Sequence, residues 1–265
     1  MASTLATISS NKIDQTFDRL RGERRKALVC YVTAGHPDPA SSVELLRGLE
    51  GAGADVIEVG VPFSDPIADG PVIQASSQQA LAHGVTLERT LEIVSEAALN
   101  IPVVLFTYLN PIIAAGEHVL ERARDAGVDG VLITDLPVGA DREREAWLGA
   151  SELAFVRLVA PTTPLERMRE IAHNGSGFVY LISRLGVTGA SASLAPDLPE
   201  TAARLRKATD LPICVGFGVS EAAHARAAAA VADGVVAGSA IVKAAGRELS
   251  AAVELASTLR HALDS

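Results

Sequence analysis

Residues 53–61 read GADVIEVGV. A glycine and an aspartate, which favour a turn after a helix, come directly before a run of apolar residues. The run is apolar at nearly every position rather than at every second one, which is typical of a parallel strand buried on both faces. A small residue, an aspartate and an apolar run return in the same order from residues 127 and 232. This pattern indicates a repeated helix–turn–strand unit.

Eight short apolar runs alternate with longer amphipathic patterns. The runs predict strands at residues 27–33, 56–61, 102–108, 130–134, 154–159, 178–183, 212–217 and 234–237. The amphipathic patterns predict helices at residues 41–51, 87–99, 120–126, 164–172, 199–208, 221–230 and 248–263. Eight such units fit a closed (β/α)8 TIM barrel. An open doubly wound sheet is the alternative, but the turn TAGHP at residues 33–37, rather than a GxGxxG motif, follows the first strand.

The chain is expected to form a single TIM-barrel domain over residues 1–265. It is 48% hydrophobic and contains no segment with the composition of a linker. Residues 1–10 are predicted to be disordered. A short extra helix is predicted at residues 13–20, with Ile13, Phe17 and Leu20 on one face. This helix is expected to cover the N-terminal end of the barrel.

Composition disfavours several classes of partner. The formal charge of −9 argues against nucleic acid and anionic membranes, which are bound mainly by clusters of Lys and Arg. The chain shows neither a secretory signal nor an apolar run long enough to span a membrane. Cys30 and Cys214 lie in apolar runs, so they are expected to be buried thiols without a disulfide framework or a metal site. These features predict a cytoplasmic protein.

Carboxylates cluster around the second predicted strand. Glu58 interrupts an apolar run, and burial in the barrel mouth would raise its pKa and suit it to proton transfer. A Glu58 that faces outward and pairs with a helix is an equal alternative. Asp69 precedes a helix expected to begin near Pro71, so it is a second acid–base candidate or an ordinary N-cap. Asp65 is either part of the same cluster or a turn residue.

Three later loops indicate a lid and an anion site. The long loop at residues 184–196 is rich in Gly, Ser and Ala, as lids often are. Gly218 follows the seventh strand, and Gly238 and Ser239 follow the eighth. Loops at these two places form the recurrent phosphate site of TIM barrels. Neither loop contains Lys or Arg, so backbone N–H groups would be the main donors to a phosphate.

Several motifs closely resemble those of tryptophan synthase alpha subunits. The longest and most specific is EVGVPFSDPIADGP at residues 58–71. The others follow in the family's order: DLP at 135–137, SR at 183–184, GVTG at 186–189, GFG at 216–218 and GSA at 238–240. The resemblance extends from the first helix to the last.

The resemblance implies a reaction and a set of site residues. Members of the family cleave indole-3-glycerol phosphate to indole and D-glyceraldehyde 3-phosphate by a retro-aldol reaction of tryptophan biosynthesis. The catalytic residues would be Glu58 and Asp69, and neither a metal nor an organic cofactor would be needed in this chain. The substrate-binding residues would be Tyr31, Phe106, Tyr180, Thr188 and Phe217, and the phosphate-binding residues Gly189, Gly218, Gly238 and Ser239.

The resemblance also implies a partner. The family's beta subunit carries pyridoxal phosphate and joins the alpha subunit in an α2β2 heterotetramer. The interface candidates are Pro62, Asp65, Tyr108, Asn110 and Pro137. Two residues depart from the family pattern: His36 stands where many members have Asp before Pro, and Leu185 where a small or hydroxyl residue is common.

Three other functions stay open at this point. One is another phosphate-binding barrel, such as an isomerase or an aldolase, although a Schiff-base aldolase would need a strand-end lysine, which the predicted strands lack. The second is a non-catalytic subunit that only activates a beta partner. The third is a stand-alone lyase that releases indole.

Overall fold

Eight parallel strands close into a barrel in chain order, with the last strand paired to the first. The computed structural model describes residues 11–182, 197–216 and 218–265. The strands are β1 (Ala27–Thr33), β2 (Val56–Gly60), β3 (Val103–Thr107), β4 (Gly130–Ile133), β5 (Ala154–Val159), β6 (Val179–Ile182), β7 (Ile213–Gly216) and β8 (Gly234–Ala237). The predicted (β/α)8 barrel is therefore confirmed, and the open doubly wound sheet is wrong.

Twelve helices lie within the described residues, mostly around the barrel. They are α1 (Lys12–Gly22), α2 (Pro39–Gly51), α3 (Pro71–Ala82), α4 (Leu87–Ala97), α5 (Leu109–Ala114), α6 (Val119–Asp125), α7 (Arg142–Gly149), α8 (Leu165–His173), α9 (Leu198–Arg206), α10 (Ala222–Ala229), α11 (Ser239–Ala245) and α12 (Leu249–Asp264). The sequence patterns did not predict α5 and α7. Helix α5 is short, and α7 buries only Leu148, so neither carries a clear apolar stripe.

Helix α1 closes the N-terminal end of the barrel, as predicted. Ile13, Phe17 and Leu20 are buried among inward-facing strand residues. The Phe17 ring lies 5.7 Å from that of Phe178. Because this end is filled by side chains, the opposite end, where the strands reach their carboxyl termini, is left for a ligand.

The repeated aspartates before strands do more than turn the chain. Each aspartate donates its backbone N–H to the carbonyl oxygen of one residue in the preceding strand. Its carboxylate accepts the backbone N–H of that same strand residue. The partners are Leu28 for Asp55, Val103 for Asp129 and Ile213 for Asp233, with carboxylate distances of 2.9, 3.0 and 2.8 Å. These paired bonds satisfy backbone groups at strand ends and fix where each following strand begins.

The C-terminal end of α4 has a strained backbone, and this strain can be tested by substitution. Exposed Ala98 ends α4 in the left-handed region with φ 49°, where glycine is favoured. We expect Ala98→Gly to raise the free energy of unfolding by about 1 kcal/mol, measured by urea denaturation. Ala227→Gly, at an exposed position inside α10, is the control and should lower it by about 1 kcal/mol. Equal losses in both variants would contradict this account.

Candidate active site

A cavity of about 480 Å³ opens at the carboxyl ends of the strands. Eight of the residues predicted for the site line it: Tyr31, Glu58, Asp69, Phe106, Tyr180, Gly218, Gly238 and Ser239. The remaining three, Thr188, Gly189 and Phe217, lie outside the described residues, as do the predicted lid and Leu185. One cavity therefore collects residues from four strands and from the loops that follow β2, β7 and β8.

Glu58 projects into the barrel because side chains alternate along β2. Val56 belongs to the inner cluster of the barrel, whereas Ile57 and Val59 pack outward against the helices. The Glu58 side chain is 1% exposed, and neither carboxylate oxygen has a hydrogen-bond partner among the described residues. Burial raises the pKa of Glu58 from its ordinary value of 4.5 to about 8. This carboxyl is therefore mostly protonated near pH 7.

Asp69 reaches the same cavity from the loop between β2 and α3. Gly70 is the residue that precedes α3, and it provides no side-chain cap. The Asp69 carboxylate instead accepts a hydrogen bond from the Tyr108 hydroxyl at 3.0 Å. The N-cap alternative for Asp69 is therefore wrong. Partial burial raises the pKa of Asp69 to about 6, and the Tyr108 hydrogen bond opposes that rise.

Asp65 behaves as the turn residue of this loop. Its carboxylate accepts the Ser64 hydroxyl at 2.6 Å, and its carbonyl accepts the Ile67 N–H at 2.9 Å. The side chain is exposed, and it is not among the residues that line the cavity.

Aromatic rings form much of the cavity wall. Tyr31 and Phe106 meet edge to face at 5.2 Å, and Tyr180 is buried deeper in the barrel. Glycine is required opposite both tyrosines, because a Cβ at Gly60 would lie 2.1 Å from the Tyr31 hydroxyl oxygen and one at Gly216 would lie 2.0 Å from that of Tyr180. The strand-end glycines therefore create space for the two rings beside Glu58.

Backbone groups and cations line the side of the cavity formed by the residues that follow β7 and β8. Gly218 adopts a positive φ of 96°, and Gly238 and Ser239 begin α11 without a side-chain cap. Lys243 and Arg247 also line this side. Neither cation was predicted from the sequence, because Lys243 lies on α11 and Arg247 in the turn after it, beyond the loops that follow β7 and β8.

His36, which departs from the family pattern, joins the first loop to two helices. Its imidazole Nδ1 lies 3.0 Å from the Gln79 side-chain oxygen, and its Nε2 lies 3.3 Å from the Val242 carbonyl oxygen. The side chain is 9% exposed. His36 therefore ties the loop after β1 to α3 and α11.

The described residues lack a metal cluster and a membrane-spanning helix. They contain no group of three or more His, Cys, Asp or Glu side chains placed to hold a metal ion. Among them, no helix is both long enough and apolar enough to cross a membrane.

Comparisons with known proteins identify the family. A family model described as the tryptophan synthase alpha chain matches residues 17–263. The chain belongs to the tryptophan synthase alpha chain family. It is 48% identical to the tryptophan synthase alpha chain of Desulfatibacillum aliphaticivorans over 231 residues, which cover 86% of this chain and 87% of that one.

Further members of the family extend the match. The alpha chain of Geotalea daltonii is 48% identical over 235 residues, covering 88% of this chain and 89% of that one. A solved structure of Mycobacterium tuberculosis tryptophan synthase superposes with a TM-score of 0.89 at 34% identity, covering 96% of this chain and 99% of that one. Tryptophan synthase alpha chains cleave indole-3-glycerol phosphate, so this chain is a carbon–carbon lyase of tryptophan biosynthesis.

The unpaired carboxyl of Glu58 predicts a cost in stability that grows with pH. The pKa is about 8 in the folded chain but near 4.5 when Glu58 is exposed to water, so between these values the folded state retains a proton that the unfolded state has lost. Stability then falls by up to about 1.4 kcal/mol per pH unit. We expect Glu58→Gln to unfold at increasingly higher urea concentrations than the wild type as pH rises from 5 to 8. A difference independent of pH would show that Glu58 is not held protonated.

Proposed function

We propose that Glu58 and Asp69 divide the proton transfer and the charge stabilisation of indole-3-glycerol phosphate cleavage between them. The observation that carries this proposal is their joint presence in one aromatic cavity, in environments that keep one carboxyl neutral and the other ionised near pH 7. Titratable pairs whose environments separate their pKa values are typical of acid–base catalysis.

The protonated Glu58 is the acid. It donates its proton to C3 of the indole ring, which converts the ring to an indolenine with a positively charged nitrogen. The Glu58 carboxylate formed in this step then accepts the proton of the glycerol hydroxyl next to that carbon. As the C=O bond of the aldehyde forms, the bond from C3 to the side chain breaks, and its electron pair restores the aromatic indole. The acid then holds a proton again, so the cycle is balanced.

The ionised Asp69 stabilises the charge that develops on the ring. Its carboxylate accepts the indole N–H, and this hydrogen bond strengthens as the nitrogen becomes positive. Tyr31 and Phe106 form walls for the flat ring system, and Tyr180 supports the site beside Glu58. In the part of the cavity after β7 and β8, Gly218, Gly238 and Ser239 present backbone N–H groups to the phosphate. Gly189, Thr188 and Phe217 are proposed to complete the site.

The partner is proposed to be a tryptophan synthase beta chain that carries pyridoxal phosphate, in an α2β2 heterotetramer in the cytoplasm. Exposed apolar residues support a docking surface around the mouth, because Ile67 is 82% exposed and Ile113 is 41% exposed on neighbouring loop–helix units. Asp65, Asn110 and Pro137 are also exposed. Pro62 and Tyr108 are buried in the isolated chain, which argues against contact between these two residues and a partner.

Turnover by the purified chain tests the proposed roles. We expect the wild type to release glyceraldehyde 3-phosphate from indole-3-glycerol phosphate. Glu58→Gln should lower kcat by about 1,000-fold because the acid is lost, and Asp69→Asn by about 100- to 1,000-fold because a stabilising charge is lost. A folded wild type that gives no product, alone or with a beta chain, would support the non-catalytic alternative, and a fully active Glu58→Gln would reassign the acid.

The pH dependence of kcat/KM provides a second test. Asp69 must be ionised, so kcat/KM should fall when the pH drops below about 6. Glu58 must be protonated, so kcat/KM should also fall when the pH rises above about 8. Steady-state assays from pH 5 to 9 in a buffer of constant ionic strength should give a bell-shaped pH profile of kcat/KM. A rate that keeps rising above pH 8 would exclude a protonated Glu58 as the acid.

The docking surface can be tested by one substitution and a matched control. Ile113→Ser should weaken binding of a beta chain, measured by calorimetry, because it removes an exposed apolar anchor from α5. Leu81→Ser changes a residue of similar exposure, 37%, near the far end of α3, and should leave binding unchanged. Equal binding by both variants would place the interface elsewhere.

A further inference from the structure

We propose that Tyr108 is a positioning residue that aims the Asp69 carboxylate into the cavity and keeps it ionised during cleavage. This inference rests on the proposed role of Asp69. It assigns a function to a side chain that the sequence analysis had placed at the subunit interface.

The Tyr108 hydroxyl, which follows β3, makes two hydrogen bonds to the loop between β2 and α3. It donates to Asp69 Oδ2 at 3.0 Å and accepts the Ala68 N–H at 3.0 Å. The tyrosine is 3% exposed, and its ring packs against Phe63 with 4.9 Å between centroids. Both bonds end on adjacent residues of one loop, so the phenol fixes the orientation of the peptide and of the carboxylate together.

The rest of the loop supports this arrangement without contacting the carboxylate. The Gln74 side chain donates to the Asp69 carbonyl oxygen at 2.8 Å, and the Asp69 N–H donates to the Pro66 carbonyl at 3.1 Å. These two bonds hold the Asp69 backbone without the phenol, whereas the Asp69 carboxylate is held by Tyr108. Losing the phenol should therefore change the carboxylate more than the loop.

The groups that face Asp69 make the phenol important. Tyr31 from β1 and Glu58 from β2 line the same cavity, and neither supplies a positive charge. The two cations that also line it form no ion pair with Asp69 within the described residues. Burial raises the pKa of Asp69, and the Tyr108 hydrogen bond is the influence that lowers it. Hydrogen bonds to a carboxylate favour its charged form.

Tyr108→Phe keeps the ring and removes the hydroxyl. We expect the acid limb of the kcat/KM profile for indole-3-glycerol phosphate to move up by about one pH unit, while the alkaline limb stays in place. Phe63→Leu is the control, since it loosens the ring packing but retains the phenol, and it should leave the acid limb unchanged.

Two outcomes would overturn the inference: an unshifted acid limb in Tyr108→Phe, or an equal shift in Phe63→Leu. The Asp69→Asn variant separates this inference from the proposed function. If Asp69→Asn stays fully active, the proposed role of Asp69 is wrong. If Asp69→Asn is inactive and Tyr108→Phe leaves the acid limb of the kcat/KM profile in place, only the role of Tyr108 is wrong.

A separate observation concerns two cations that line the cavity, Lys243 on α11 and Arg247 in the turn after it. We infer that Lys243 and Arg247 form an outer subsite that attracts the dianionic phosphate group of the substrate. Ser239, Lys243 and Arg247 follow one another at intervals of four residues, and all three line the cavity. Ser239 and Lys243, four residues apart, lie on one face of α11, and Arg247 lies in the turn that follows the helix. Both cations therefore line the cavity that also contains the proposed phosphate position.

The charge balance supports this subsite. Among the described residues, neither Lys243 nor Arg247 has a carboxylate within 4 Å. The chain carries a net charge of −9, and the carboxylates of Glu58 and Asp69 lie in the same cavity. A phosphate dianion is repelled by such a chain unless local cations attract it toward the mouth.

Replacing both cations by glutamine tests the subsite. In the Lys243→Gln/Arg247→Gln variant, we expect KM for indole-3-glycerol phosphate to rise about threefold at low salt, by more than kcat changes, and the difference to disappear at high salt. The control is Lys207→Gln/Arg226→Gln, which removes two exposed positive charges away from the cavity. An equal rise in the control, or no rise in either variant, would overturn the inference.

Discussion

The burial of one carboxyl group without a hydrogen-bond partner is the constraint on which the site depends. Glu58 lies on β2 and points into a closed barrel whose opposite end is filled by α1. An ionised carboxylate is costly in such a place, so the group retains its proton near pH 7. The surroundings therefore turn an ordinary glutamate into an acid for a neutral solution, at a cost in folding stability that the rest of the barrel must offset.

The second carboxylate, that of Asp69, has a lower pKa than Glu58 because it lies on a loop. Asp69 is only partly buried and has a phenol as donor, so the rise in its pKa is smaller than that of Glu58. The two groups differ because a strand places one in the barrel interior and a loop places the other at its rim. This difference gives the family's retro-aldol reaction a neutral acid and a fixed negative charge in one cavity.

Local sequence predicted much of the fold and part of the site. The apolar runs predicted β1, β5 and β8 with the bounds that the structure shows. Strands buried on both faces are apolar at nearly every position, so their ends are easy to locate in the sequence. Helix α7 was missed because it has almost no buried face. The link from Tyr108 to Asp69 spans 39 residues, and the approach of Lys243 and Arg247 to the cavity depends on how α11 packs, so no local pattern could predict either feature. The turn aspartates were recognised, but their bonds to the preceding strand require the barrel.

The protonation state of Glu58 is the central claim, and isotope-edited infrared difference spectroscopy measures it most directly. Spectra of the chain with ¹³C-labelled glutamate, referenced to Glu58→Gln, would be recorded from pH 5 to 9. A carboxylic acid band should persist at pH 7 and disappear near pH 8. A Glu58 that is already fully ionised at pH 6 would contradict the account, because the group could not then supply the proton for cleavage.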